Sequence, residues 1–373
     1  MSKEPHKKEM LQDASPAEPS DKNVNTKDDM YDGSWEMEGG SLLAQALQVL
    51  QKEVSGQYWT RDSKAIRLQK EHRWITRVAL FFGTGAVSLA ILQLPLSRLN
   101  WVFLNKVLPW IEFFCAVLAA ISVGYGLYLA IQKHWLLERH KAERLRFLKY
   151  RSILNLATDG ELHSNMKKWA QEVKSQAREI CEIEEDELKL WWEESPTSSD
   201  VEAEPVASRA EFEEIIKYYK KKRLEQQVLY LFKKTEKARA SDSFTKYFPP
   251  ALFLASIACA VSHLLLSTFV APWLERHGIG TEWEKPTSIV LITLAALLPA
   301  LGAAVRTHRS ANEFSRNTVR FNAAHMALKD NLTILNAQVE PGAKLRALLR
   351  SEAVLENEHR DWLRLMDEAE WFG

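Results

Sequence analysis

Four stretches of this chain are too long and too apolar to be packed inside a soluble fold. Tyr247 to Leu274 contains no Asp, Glu, Lys or Arg, and neither does Pro286 to Val305. Earlier, Val78 to Ser97 is uncharged throughout, and Val107 to Gln132 carries a single charge, Glu112. A helix of about 20 residues is about 30 Å long, the thickness of a bilayer's hydrocarbon core, so each run can cross it. Short charged segments, 98–106 and 275–285, separate the members of each pair. The expectation is an all-α membrane protein with two transmembrane helical hairpins, four spans at about 78–97, 107–132, 247–274 and 286–305. Ala79 and Pro250, like Gln132 and Val305, lie about 170 residues apart, which suggests two copies of one unit.

The rest of the chain reads as polar helix arranged around these hairpins, forming a cytosolic bundle or coiled-coil region. Residues 1–40 are a polar tail, dense in Lys, Asp, Glu and Ser and expected to be disordered, without the apolar core of a removable signal peptide. Residues 41–156 form the first helical unit. Ser41 caps a helix with Leu42, Leu43, Leu47 and Leu50 at helical spacing; Gly56 ends it, and a basic helix from Trp59 to Arg77 enters the first span. The second span begins at Pro109, suited to a first turn, and continues without a breaker to about Leu156 as one rod. Residues 157–208 hold a second polar helix, Glu161 to Glu194, and a flexible linker, Ser195 to Ser208. Residues 209–340 form the second unit, opened by the capping box Ser208-Arg-Ala-Glu211, with Pro249-Pro250 allowing a bend on entry to the third span. Residues 341–373 are a last cytosolic helix.

Lysine and arginine set the orientation. They crowd the outer flanks of both pairs (61–77, 133–151, 217–246 and 306–320), whereas the intervening turns hold only Arg98 and Lys106, or Arg276 and Lys285. Positive flanks stay inside, so both termini are expected in the cytosol of a protein integral to the cell (inner) membrane. Trp74, Trp101, Trp110, Trp135, Trp273 and Trp283 fall at the expected span ends, where an amphipathic ring is stable. Arg77, Lys133, Arg139, Lys246 and Arg306 are candidate lipid-headgroup contacts.

Polar residues within the spans are the candidate functional groups. Glu112 either contributes to a ring at a pore mouth or sits in the first turn of its helix, held by free backbone N–H groups. Ser256, Cys259, His263 and Ser267 share one helical face, which is either a pore-lining stripe or a packing seam between helices. Pro299 is a candidate hinge. Small residues four apart (Ala120 with Gly124, Ala255 with Cys259, Ala296 with Ala300 and Ala304) predict close helix contact.

Composition narrows the function classes. With 49 basic and 49 acidic residues there is no global field to attract nucleic acid. Mean hydropathy of -0.27 averages polar helix with four spans. Cys115, Cys181 and Cys259 have no metal-ligand spacing and make no disulfide framework. No HExxH, CxxC or GxxxxGK[ST] occurs, so neither enzyme, metal nor cofactor is expected. Gly83-Thr-Gly85 lies within a span and reads as packing.

Several short motifs resemble the SLATT family, the SMODS- and SLOG-associating two-transmembrane effectors, in a version with two hairpins. They are Arg139-His-Lys-Ala-Glu-Arg-Leu-Arg146, Tyr219-Lys-Lys-Lys-Arg-Leu-Glu-Gln-Gln-Val228, Leu298-Pro-Ala-Leu-Gly-Ala-Ala304 with Asn312-Glu-Phe314, and Glu356-Asn-Glu-His-Arg-Asp-Trp362. The resemblance implies a membrane effector of bacterial conflict, antiviral defence or stress signalling that forms a pore or otherwise breaches the membrane, and the chain is expected to be a homo-oligomer. With no sensor domain recognised in the chain, it also implies a separate cytosolic protein that reads a nucleotide signal. The alternative is a scaffold whose cytosolic coils recruit partners while the hairpins only anchor.

Overall fold

The computed structural model describes residues 29–32, 41–97, 102–160, 165–193, 204–277 and 283–368. Every regular element among them is a helix. Ser41 opens the first: its Oγ accepts the Ala44 N–H at 3.1 Å, and α1 (Leu42–Leu50) buries Leu43, Leu47 and Leu50. Gly56 does not end this helix. One π turn, Gln51–Ser55, carries it on into α2 (Gly56–Ser97), which runs from the basic stretch through the first apolar run.

α3 (Val102–Tyr128) packs along α2. It begins well before Pro109, inside what the sequence reads as a turn, so Pro109 is interior and Glu112 is not in a first turn. The expected rod is also broken. Ala130 adopts a left-handed backbone, φ 45°, and α4 (Ile131–Thr158) starts afresh and packs along the polar part of α2. A left-handed alanine costs about 1 to 2 kcal/mol, which the burial of most of α4 offsets. The single polar helix expected after it is two, α5 (Met166–Glu182) and α6 (Glu185–Glu193).

The linker is tied down at its described end, where the Val206 N–H donates to the Ala157 carbonyl at 2.8 Å. The capping box forms as expected: Ser208 N–H donates to Glu211 Oε2 at 3.0 Å and Glu211 N–H to Ser208 Oγ at 3.4 Å. It opens α7 (Arg209–Tyr219), a second π turn (Lys220–Leu224) and α8 (Glu225–Leu265), which passes through Pro249-Pro250 without ending. A third π turn (Leu266–Val270) and α9 (Ala271–Arg276) follow. α10 (Glu284–Asn312) packs along α8; Glu313, φ 47°, breaks it from α11 (Phe314–Ala337), and α12 (Pro341–Glu368) closes the chain.

The order of helical elements is parallel in the two halves. The first two π turns begin at Gln51 and Lys220, an offset that matches the spacing of the apolar runs, each between a short amphipathic helix and a long helix that enters an apolar run. In both copies an apolar helix returns along the long one, a left-handed non-glycine residue follows, and the next helix packs on the same long helix. Met166–Glu193 and Pro341–Glu368 then occupy equivalent places.

Both hydrophobic clusters lie in the polar part, the head. Leu47, Leu50, Tyr58, Leu145, Ile153, Trp169, Phe212, Tyr219 and Leu348 belong to one buried cluster drawn from both copies. A smaller one joins Ala65, Trp135, Leu136, Leu188, Trp191, Leu363 and Met366. Among the described residues four helical segments are long and apolar enough to cross a membrane, and their most apolar windows are only 6 to 11% buried. Phe81 and Leu94 are 73% exposed, surface that water would penalise and lipid would not.

Candidate functional site

Two polar groups of the apolar helices bond across to a neighbouring helix, Ser256 and Glu112. Ser256 is buried and its Oγ donates to the Ala295 carbonyl of α10 at 2.7 Å. Cys259, His263 and Ser267 are partly covered on the same side of α8, and Ser267 Oγ donates back to the His263 carbonyl at 3.0 Å. Glu112 accepts a hydrogen bond from Gln93 Nε2 of α2. Pro299 lies within α10, which continues past it, and one turn on Gly302 rests against Pro249: a Cβ there would stand 3.5 Å from the Pro249 carbonyl oxygen. Of the small-residue pairs, Ala120 with Gly124 is exposed, and a Cβ on Gly124 would meet nothing within 4 Å. The close approach of α2 and α3 is at Gly83 and Ala119 instead. Spacing places small residues on a face but does not say which face meets a neighbour.

The basic flanks divide into two classes. Arg77, Lys133, Lys246 and Arg306 are exposed, Lys246 beside the ring of Tyr247. Arg139 is not a headgroup contact. It pairs with Asp62 of α2 at 2.7 Å and with Glu143, which together outweigh its burial and raise its pKa. Trp135 likewise leaves the aromatic belt: it is buried, stacked on His72 with centroids 5.8 Å apart and edge-on to Trp362. Trp74, Trp110, Trp273 and Trp283 stay exposed, whereas Trp101 lies outside the described residues.

At the centre of the head is a buried ionic seam that local sequence patterns do not announce. Arg223, in the π turn before α8, donates from Nη1 to Asp29 Oδ2 at 2.9 Å and from Nε to Glu352 Oε1 at 3.0 Å, and its guanidinium lies over the Tyr150 ring. Arg146 of α4 approaches Asp29 Oδ1 at 3.1 Å, and Lys149 Nζ meets Asp32 at 2.8 Å. Tyr150 donates to the Asp29 carbonyl, Tyr218 to Asp32 and Tyr219 to Glu352, each at 2.6 Å. Burial alone would depress the Arg223 pKa; Glu352 and Asp29 outweigh it and hold the guanidinium charged. Burial would raise Glu143, but Arg139, Arg146 and Arg223 keep it below the usual carboxylate range.

Asp29 to Asp32 belong to the segment that composition marks as a disordered tail; these four residues are instead the centre of this network. Buried charges are tolerated only when paired and hydrogen-bonded, and Arg223 supplies pairing to the tail and to α12 at once. A second cluster lies nearby, where His140 Nδ1 is 3.3 Å from His359 Nε2 and both rings pack on Trp191. Burial is the main reason both imidazoles titrate well below the ordinary histidine value; burial and neighbouring Arg73 bring His72 down to about 4. His140 and His359 are far apart in the chain, a juxtaposition only the fold creates.

Among the described residues no group of three or more His, Cys, Asp or Glu is placed to hold a metal ion. The three cysteines are free thiols. Comparison with protein-family models, curated proteins and solved structures gives no match.

Proposed function

We propose that this chain is an integral membrane effector of the SLATT type, with two hairpins whose loops face away from the cytosol and one cytosolic head that gates them. The observation that supports this reading is the continuity of α2 and α8. Each runs unbroken from the packed head into an apolar segment, so a rearrangement at the head tilts or rotates the attached span. An even number of crossings per copy makes the duplicated units parallel, related by an axis along the membrane normal.

Conduction on this reading requires several copies. Ser256 is engaged within its own helix pair, Cys259 and His263 on the same face are partly covered, and the remaining span surface is largely apolar. Gln93 and Glu112, partly covered between α2 and α3, would supply the polar ring when copies assemble. The trigger would be a separate cytosolic protein or its nucleotide product acting on the head, and the setting bacterial conflict or stress signalling.

Dye or ion flux from liposomes, with the mass of the detergent-solubilised particle, tests the reading. A multimer that conducts only on triggering is the expected result; a stable monomer, or an assembly that never conducts, refutes it. Cysteines introduced at His277 and Lys106 should react with an impermeant reagent added outside cells, and one at Lys174 should not. A second reading, a membrane-anchored scaffold, draws support from the inward turn of the α8 polar stripe. It predicts that replacing Cys259 and His263 by leucine leaves activity intact.

A further inference from the structure

A cavity of about 540 Å3 lies where the apolar helices leave the head. It is walled by α2, α4, α8, α10, α11 and α12, so both copies build it. Thr76 and Arg77 line it just before the first apolar run, and His308 and Asn312 just after the fourth, which places this part of the wall at the level of a bilayer's inner surface. The volume is that of a small-molecule site, about 300 to 1,000 Å3.

Its wall is strongly cationic. Arg73, Arg77, Lys234 and Lys237 line it and make no ion pair among the described residues. Arg320 of α11, whose side chain is 10% exposed, lines the same cavity. Arg320 Nε faces Glu358 at 3.2 Å and Nη2 donates to Asn317 at 3.0 Å, but Nη1 is buried without a hydrogen-bond partner. Burial lowers the pKa of Arg320 although Glu358 raises it, and burial with Arg77 lowers that of His308. Burial also pushes Glu358 up, which weakens the carboxylate paired with Arg320. Guanidinium groups lining one cleft suit a multiply charged oxyanion, because planar N–H pairs match phosphate oxygens two at a time.

We propose that this cavity binds a phosphate-bearing anion, held by Arg320 from α11 and by Arg73 and Arg77 from α2, and so bridging the two copies at the membrane surface. Two sources supply that chemistry: the headgroup of an anionic lipid in the adjoining leaflet, or a soluble phosphate compound from the cytosol. The proposal does not require conduction and stands or falls separately from it.

The test uses the full-length protein. Thermal unfolding in neutral detergent is measured against inorganic pyrophosphate, and in nanodiscs of phosphatidylcholine with and without cardiolipin. Stabilisation in at least one arm is expected, with about tenfold weaker apparent affinity in Arg320→Gln and in the double variant Arg73→Gln, Arg77→Gln. Lys174→Gln, an exposed cation of α5 away from the cavity, should behave as wild type. A response to pyrophosphate alone identifies a soluble ligand, and a response to cardiolipin alone a lipid headgroup. The double variant at Arg73 and Arg77 keeps the test open should Arg320→Gln misfold. No response in either arm, or a response that Lys174→Gln weakens as much as the cavity variants do, overturns the proposal.

Discussion

The return helices α4 and α11 hold equivalent places in the two copies and could hardly be more differently used. α4 buries 19 of its 28 residues, α11 four of its 24. α4 is packed by α2, α5, α7 and α12 and forms the axis of the head; α11 touches chiefly α8 and α12 and keeps a free side. The π turns diverge in the same way. Their fourth residues are Val54 in the first copy and Arg223 in the second, both buried, one apolar and one the hub of the ionic seam. Two halves with a similar order of helices thus differ in burial: the first return helix is enclosed, and the charges that become interior there are paired.

The largest expected effect separates Val54 from Arg223. Arg223→Ala would leave Asp29 and Glu352 buried without their shared cation, a loss of about 3 to 5 kcal/mol. Val54→Ala removes two methyl groups from a buried site and should cost about 2 kcal/mol. Chemical denaturation of the two variants side by side measures the gap; equal losses would show that the seam contributes no more than ordinary packing.

Next in size is the contribution of the tail. Asp32→Ala leaves Lys149, whose side chain is 0% exposed, without its carboxylate, at a cost of about 3 kcal/mol. Backbone amides at 29–32 should exchange as slowly as those of α4, read by hydrogen exchange. Fast exchange there would remove the tail from the head and leave the seam as a contact of Arg223 with Glu352 alone.

The histidines in and against α4 add a pH dependence to the head. His72, His140 and His359 have folded pKa values below the unfolded value of about 6.5, so the unfolded chain binds more protons between the two. Stability should therefore be full above about pH 6.5 and fall as pH drops below it, at up to about 1.4 kcal/mol per unit for each histidine; for His72 the loss levels off near pH 4. His140 faces Arg144, Lys141 and Glu143 as well as His359, and the two lysine and arginine charges reinforce the sign. Melting temperature measured from pH 7.5 to 5.5 should decline in wild type and decline less steeply in His359→Gln.

What the sequence disclosed follows from the range of each signal. Apolar runs, the cap at Ser41 and the box at Ser208 and Glu211 are local, and the fold contains all of them. The repeat in the apolar runs likewise became a repeat of backbone shape. The interior of α4 was hidden because Arg139, Glu143, Arg146 and Lys149 look like the solvated face of a basic helix when their partners, Asp62, Asp29 and Asp32, are distant in the chain. The breaks at Ala130 and Glu313 carry no glycine to mark them. A tail of low complexity gave no hint that Asp29 and Asp32 were ligands rather than solubilising charges.

The smallest expected effect compares the two apolar pairs. In the second copy α8 and α10 are joined by Ser256 Oγ donating to Ala295, and in the first α2 and α3 by Gln93 to Glu112. Ser256→Ala should cost about 0.6 kcal/mol, the usual worth of one such bond between membrane helices, because the Ala295 carbonyl keeps its place in the α10 backbone ladder. Gln93→Leu leaves the partly covered Glu112 carboxyl without its donor and should cost about 1 to 3 kcal/mol. Both are measurable by steric-trap or denaturant unfolding in bicelles. A larger loss from Ser256→Ala than from Gln93→Leu would mean that the second pair, not the first, is held by its polar contact, and that Gly302 against Pro249 contributes less than close packing implies.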